Sequence, residues 1–208
     1  HRDCLQLLLE RGASIEAKDG GGCRAIHYCA ERGHLDCMQL LLERGASIEA
    51  AAERGYRAIH ICALNNNGNC MQMLLDAGAE IDARTTRRHS ALHICTEEGH
   101  RGCVRLLIKR GAAIEAKDKY DESPLHWAAL EKKFECMQLL IRRGADPGAR
   151  NKDGRTPFDL APGYGASDES LREELPARSA RRVMRTRLAA EEAQAAGPAR
   201  SLSLIHIS

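Results

Sequence analysis

The sequence predicts an all-α solenoid in which short helix-turn-helix units, joined by hairpin-like turns, are stacked with a period of 33 residues. The first observation is the segment CMQLLLERGASIEA at 37–50, which has related copies beginning at Cys4, Cys70, Cys103 and Cys136. The second is RAIHYCAERGH at 24–34, which has copies beginning at Arg57, Ser90 and Ser123. Helices this short are marginal alone in water, so successive copies must bury one another's apolar faces.

The segment at 37–50 is typical of a short helix followed by a turn. Met38, Leu41 and Leu42 have the i, i+3, i+4 spacing of one helical face. Gly45 can adopt a positive φ and end the helix. We therefore expect a helix over 35–44 as the second helix of its unit.

The segment at 24–34 predicts the first helix of the unit, over 25–32. Ile26, Cys29 and Ala30 have the same spacing, and the small Cys and Ala side chains allow a neighbouring helix to approach closely. Each unit is therefore expected to contain two antiparallel helices.

The charges of the 208-residue chain are nearly balanced, with 31 Lys and Arg against 29 Asp and Glu. Because this balance creates no strong field, it argues against a nucleic-acid partner. No apolar run reaches the roughly 18 residues of a membrane-spanning helix, so no membrane segment is expected.

The nine cysteines follow the repeat and not a disulfide pattern. Eight occupy two register positions, one with Cys4, Cys37, Cys70, Cys103 and Cys136, the other with Cys29, Cys62 and Cys95. Equivalent residues of stacked helices lie about 8 to 10 Å apart, beyond the roughly 7 Å between Cα atoms that a disulfide allows. We expect buried, reduced thiols and an intracellular location, cytoplasmic or nuclear. Cys23, off this register, is expected to be the more exposed.

Together these motifs resemble those of the ankyrin-repeat family. SPLHWAALEKK at 123–133 is similar to the family pattern G-x-TPLH-x-AA-x-x-GH, and GASIEA at 45–50 to its GA-x-x-NA turn. The resemblance implies an ankyrin-repeat solenoid over 1–175. Its parts are a half repeat at 1–18, full repeats at 19–51, 52–84, 85–117 and 118–150, and a closing partial repeat at 151–175.

The segments at the two ends lead to separate expectations. Residues 176–201 are rich in Arg, Ala and Glu and are expected to form a helical or disordered tail. Residues 202–208, LSLIHIS, resemble the translation of a sequencing-library adapter and are excluded from the fold prediction. His1 aligns with His34 one period later, so upstream sequence is expected, with an exposed apolar edge at Leu5, Leu8 and Leu9.

Several residues depart from the family pattern. Arg88 and Asp121 occupy a tip position that is glycine in the other repeats, where the turn favours positive φ, so these two tips are expected to deviate. Arg24 and Arg57 replace the family's Thr, and their units are expected to be less rigid. The loop at 65–69 replaces the usual Gly-His and is expected to be simply solvated.

No catalytic signature is present: GxSxG, HExxH and a phosphate-binding Gly-rich loop are all missing. Three His-x-Cys pairs, such as His27 with Cys29, contain zinc-ligand types, but residues i and i+2 of a helix point in different directions. A histidine that hydrogen-bonds to the adjoining repeat is the favoured interpretation. We expect no catalytic residue, cofactor, metal or small-molecule substrate, and no enzymatic activity.

Two basic clusters leave alternatives open. The tip at 84–89 could bind an acidic patch or a phosphate, although surface charges are usually only solvated. The arginines at 178–187 could bind nucleic acid, acidic lipid or a calmodulin-like groove, or serve nuclear import, but a solvated linker helix is favoured.

The resemblance implies a non-catalytic interaction module, an adaptor or the recognition arm of a larger protein, that binds a protein partner as a monomer. In the family, contacts concentrate on the hairpin tips and on the concave face of the first helices. The matching tip residues are Glu53, Arg54, Tyr56, Arg87, His89, Lys119, Tyr120 and Glu122. The matching first-helix residues are Glu31, Arg32, Leu64, Asn65, Glu97, Glu98, Leu130 and Glu131.

Tyr56 and Tyr120 rank highest, because aromatic side chains dominate interface energetics. The residues just after the motif histidine rank lower, because packing between repeats is expected to occupy them. They are Tyr28, Ile61, Ile94 and Trp127. The alternative function is that of a targeting fragment of a kinase, acyltransferase or ubiquitin ligase whose catalytic domain lies outside this chain.

Overall fold

The computed structural model describes residues 1–161, and within them it contains ten α-helices and no strand. The helices are α1 (Arg2–Glu10), α2 (Ala25–Arg32), α3 (Leu35–Glu43), α4 (Ala58–Leu64), α5 (Gly68–Asp76), α6 (Ala91–Glu98), α7 (Arg101–Lys109), α8 (Pro124–Leu130), α9 (Phe134–Arg142) and α10 (Pro157–Leu160). The all-α prediction is confirmed, and the predicted bounds of α2 and α3 hold to within one residue. The expected domain end at 175, the tail at 176–201 and the segment at 202–208 lie outside the described residues.

The helices form two layers with the core between them. The first helices α2, α4, α6, α8 and α10 pack on one another in that order, and so do the second helices α1, α3, α5, α7 and α9. Within each unit the two helices also pack together. Each helix therefore buries its apolar face against its own unit and its neighbours, as the short segments require.

The predicted apolar stripe of α3 is confirmed at two of its three positions. Met38 and Leu41 are fully buried, whereas Leu42 is half-buried against the core. Leu40 is buried although it lies outside the predicted stripe. In α1 no residue is buried, and Leu7 and Leu8 are its exposed leucines.

The exposed edge expected in α1 is therefore wrong at two of its three residues. Leu5 and Leu9 are half-buried, and Leu5 packs against the core. The helix α1 packs on α3 with the face that carries Leu5, so other leucines of α1 than expected are exposed.

The cysteines are all free, and seven of the nine are buried. Cys23 is half-buried, and Cys4 is the exposed one, so the expectation for Cys23 is wrong. Cys4 is exposed because it lies in α1, where no side chain is fully covered.

Each motif histidine connects the start of its helix to the following hairpin. A backbone N–H three residues earlier donates to Nδ1 at 2.9 to 3.2 Å. The Nε2 groups of His27, His60, His93 and His126 donate to the carbonyls of Ala50, Ala83, Glu122 and Arg155. Burial lowers the pKa of His60, His93 and His126 to about 4, although the bond to the carbonyl opposes this shift. The predicted structural role is confirmed.

A row of carboxylates ties each unit to the next. Every donor is a backbone N–H 31 residues further along the chain. Glu16 accepts from Ser47 at 2.8 Å, Glu49 from Glu80 at 2.8 Å, Asp82 from Ala113 at 3.0 Å and Glu115 from Asp146 at 2.7 Å. The two arginines that replace the family's Thr pair with this row, Arg24 with Glu16 and Arg57 with Glu49, and Arg57 also pairs with the side chain of Glu80.

One position of each hairpin tip keeps a positive φ whichever residue it carries. Arg88 and Asp121 have φ of 64° and 58°, close to the 74° and 73° of the equivalent Gly22 and Gly55. The expected deviation of these two tips is therefore wrong. The turn is held from within, since Asp118 Oδ1 accepts two backbone N–H groups of its own tip at 2.8 Å.

The loop between the two helices caps the preceding repeat. Asn67 Nδ2 donates to the carbonyls of Ala30 and Glu31 at 2.8 Å, and His100 Nε2 donates to that of Leu64 at 3.1 Å. Asn67 therefore replaces the family's histidine as a cap of free helix-end carbonyls. The expectation that this loop is simply solvated is wrong at Asn67.

Candidate partner-binding surface

The hairpin tips form a continuous row, which we call the tip row, at 20–23, 53–56, 86–89, 119–122 and 152–155. One backbone hydrogen bond joins each tip to the next, at 2.9 to 3.1 Å. The donors and acceptors are Glu53 to Gly21, Thr86 to Arg54, Lys119 to Arg87 and Lys152 to Tyr120. Because only backbone atoms are used, these bonds leave the choice of side chain at each tip open.

Most of the predicted tip residues are exposed. They are Glu53, Arg54, Arg87, Lys119 and Tyr120, the last with 56% of its surface accessible. Tyr56 is half-buried, with its ring edge-on to His60 at a centroid distance of 5.9 Å. Glu122 is half-buried and accepts a hydrogen bond from Asn151 Nδ2 at 3.0 Å. The tip row thus presents mainly basic side chains and one large aromatic ring.

His89 is the exception, because its side chain is buried. Its Nε2 lies 3.6 Å from Asp118 Oδ2, and its ring packs edge-on against Trp127 at 4.8 Å. Burial lowers the pKa of His89, although Asp118 opposes this shift. The expected exposure of His89 is wrong, since the next repeat covers the ring and a partner could not reach it.

A second row runs along the C-terminal ends of the first helices, and we call it the helix-end row. It consists of two residues per unit: Glu31 with Arg32, Leu64 with Asn65, Glu97 with Glu98, and Leu130 with Glu131. All are exposed except Glu97, which is half-buried. Leu64 and Leu130 are 44% and 41% exposed, and neither belongs to the hydrophobic core.

The carboxylates of the helix-end row are unequally compensated. Glu31 has Arg32 at 3.8 Å. Within residues 1–161, Glu97, Glu98 and Glu131 have no cationic group within 4.0 Å. Burial raises the pKa of Glu97, and the charges of Glu98 and Glu131 raise it further, whereas Arg87 and Lys133 oppose this shift. Carboxylates at a helix C-terminus also oppose the helix dipole, so each of these charges lies in an unfavourable field of its own helix.

The repeats just described match a known family over most of the chain. The family described as Ankyrin repeats (3 copies) matches at residues 1–85, 59–151 and 92–167. The chain belongs to the ankyrin-repeat family. Ankyrin repeats are generally protein–protein interaction modules, and domains built from them are typically non-catalytic. No curated protein matches the sequence.

Tyr28 is a surface residue of the helix α2, so the expectation that packing between repeats occupies its position is wrong there. It is 48% exposed, and its hydroxyl donates to Asp19 at the neighbouring tip. Of the residues equivalent to Tyr28 in the other units, Ile94 is buried, as expected, and Ile61 and Trp127 are half-buried. The signal available in the sequence is the hydroxyl itself, because a tyrosine suits a position with one wet end better than the isoleucines at the equivalent positions.

Outside these two rows, the ankyrin domain also contains potential metal ligands and buried thiols. In residues 1–161 no group of three or more His, Cys, Asp and Glu side chains could hold a metal ion. No helix in that range is long and apolar enough to cross a membrane. Burial raises the pKa of Cys29 to about 12 and that of Cys136 to about 11, so these thiols are poor nucleophiles and metal ligands.

Proposed function

We propose that this chain is a non-catalytic module that binds one protein partner through the tip row and the helix-end row together. It would act as an intracellular adaptor, or as the recognition arm of a larger protein. The observation that carries the proposal is the exposure of large side chains that the fold does not need there. They are Tyr120 in the tip row and Leu64 and Leu130 in the helix-end row.

The rigidity of the surface supports this function. Backbone bonds join the tips, and the carboxylate row and the motif histidines connect each unit to the next. A surface held in this way loses little conformational entropy on binding. The exposed side chains can therefore differ among units without any change to the core.

The test begins with capture of a partner by proximity labelling, followed by affinity measurements on single alanine variants. We expect Arg87→Ala, Tyr120→Ala and Leu130→Ala each to weaken binding. A residue that dominates an interface costs about 2 kcal/mol or more when truncated, which is roughly thirtyfold in Kd. Tyr56→Ala is expected to have a smaller effect, because its ring is half-buried.

Matched control variants lie on the second helices. Gln39, Gln72 and Arg105 are exposed there, and their replacement by alanine should leave Kd unchanged. If these controls abolish binding while the tip and first-helix variants bind normally, and circular dichroism shows every variant folded, the proposed surface is wrong.

A further inference from the structure

Apolar and acidic residues alternate along the helix-end row. At successive 33-residue steps its first position holds Glu31, Leu64, Glu97 and Leu130. First helices that pack side by side lie about 8 to 10 Å apart, so the two leucines are separated by roughly 16 to 20 Å. An acidic patch thus lies between two exposed apolar side chains.

The charge of this patch favours one kind of ligand. Glu97 and Glu98 lie between the leucines in sequence register, and Glu131 follows Leu130. Like several other carboxylates of residues 1–161, these three have no cationic group within 4.0 Å, but here they lie close enough together to repel one another. A cation placed among them would relieve their mutual repulsion and form charge-assisted hydrogen bonds with the carboxylates.

We propose that the helix-end row binds a cationic protein segment with two apolar side chains roughly 16 to 20 Å apart and Lys or Arg between them. The apolar side chains contact Leu64 and Leu130, and the basic ones pair with Glu97, Glu98 and Glu131. In a helix this separation corresponds to about eleven to thirteen residues, or three to four turns, and in an extended chain to about five or six residues. The inference rests on the proposed function and specifies the partner class for half of its surface.

The probe is a library of random 16-residue peptides displayed on phage and selected on the intact 208-residue chain. Enriched peptides are synthesised, and their Kd is measured by fluorescence anisotropy at low and high salt. Three double variants dissect the surface: Glu98→Lys with Glu131→Lys, Leu64→Ser with Leu130→Ser, and Arg87→Ala with Tyr120→Ala. All six positions are exposed, so the fold should be retained, and circular dichroism verifies this.

We expect enriched peptides with a net positive charge and paired apolar residues. Their Kd should rise at least about tenfold in the charge-reversed variant and in the Leu variant, and should rise with salt. If the Leu variant binds as well as the parent, the patch attracts cations non-specifically and the inference is overturned. Enriched peptides that are acidic overturn it too, as does a library that yields no binder.

The same variants separate this inference from the proposed function. If enriched peptides lose affinity only in the variant of Arg87 and Tyr120, a protein-binding surface exists but its partner is not the cationic segment. If their affinity depends on none of the three variants and is lost in Gln72→Ala with Arg105→Ala, both proposals fail.

Discussion

At the scale of single residues, the motif histidines are held in the neutral form. A backbone N–H occupies Nδ1 and a carbonyl accepts from Nε2, so an added proton would have to break the first of these bonds. The rings are also buried, where a charge is costly. Protonation and folding are therefore opposed.

The stability of the protein should consequently fall in mild acid. The folded-state pKa of His60, His93 and His126 is about 4, below the ordinary 6.5, so the unfolded chain binds more protons between these pH values. The free energy of unfolding should be highest above about pH 6.5 and should fall toward pH 4, by up to about 1.4 kcal/mol per pH unit for each histidine. Urea denaturation at a series of pH values measures this. A flat profile between pH 6.5 and 4 would contradict the assignment.

The thiols should react in separate classes. Cys4 is exposed and should react quickly with a thiol reagent in the native state, Cys23 slowly, and the seven buried thiols only after denaturation. Burial raises the pKa of Cys23 as well, which slows it further. Counting with Ellman's reagent tests this, and Cys4→Ser should remove the fast phase. Three or more fast thiols in the native protein would show that the buried positions are accessible.

At the same scale, sequence reasoning is weakest for side-chain exposure. The helical register correctly predicts that Met38 and Leu41 are buried. Whether a tip residue is exposed depends on the size of its neighbour in the next repeat, as the burial of His89 beside Trp127 shows. The position of a residue within its own repeat does not tell whether a side chain of the next repeat will cover it.

At the scale of secondary-structure elements, the tips impose a left-handed conformation on residues that rarely adopt it. Arg88 has a φ of 64°, and a side chain at such a position costs about 1 kcal/mol or more. We therefore expect Arg88→Gly to raise the free energy of unfolding by about 0.5 to 1 kcal/mol. Chemical denaturation of parent and variant measures the change.

The neighbouring Arg87 is a matched control, because it is exposed in the same tip without a positive φ. Arg87→Gly should lower the free energy of unfolding, since glycine there adds chain entropy without relieving strain. If the two substitutions change the free energy of unfolding equally, the positive φ of Arg88 has no measurable effect on stability.

The carboxylate row gives a second prediction at this scale. Glu49 accepts the backbone N–H of Glu80 and pairs with Arg57. Glu49→Ala should lower the free energy of unfolding by about 1 to 2 kcal/mol, because it removes the acceptor. Glu49→Gln keeps an acceptor and should cost less. Thermal or chemical denaturation distinguishes the two, and Glu43→Ala, at an exposed residue of the same repeat, should have little effect.

At the scale of the whole molecule, protection from solvent is uneven along the stack. α1 has no buried residue, whereas α6 has six. Backbone amides of α1 should therefore exchange with solvent about tenfold or more faster than those of α6. Hydrogen exchange followed by mass spectrometry measures both. Equal protection would mean that the stack opens only as a single unit.

The fold of this molecule could be predicted from sequence because its period is visible at several positions at once. Residues equivalent to Cys37 and to His27 recur every 33 residues. This recurrence predicts both where the helices lie and how the units stack. Contacts that join different repeats through non-equivalent residues could not be predicted in this way. Asn67 as a helix cap is one example, because an amide in place of the usual histidine gives no signal of its bonding partner.

The spacing of the contacts between units has a consequence for the gene. The carboxylate row always joins residues 31 positions apart, and one tip bond joins Arg54 to Thr86 just as another joins Arg87 to Lys119. Loss or duplication of one whole period by unequal recombination would bring equivalent partners together at the new junction. The number of units can thus change in a single genetic event that leaves the contacts between neighbouring units as they are.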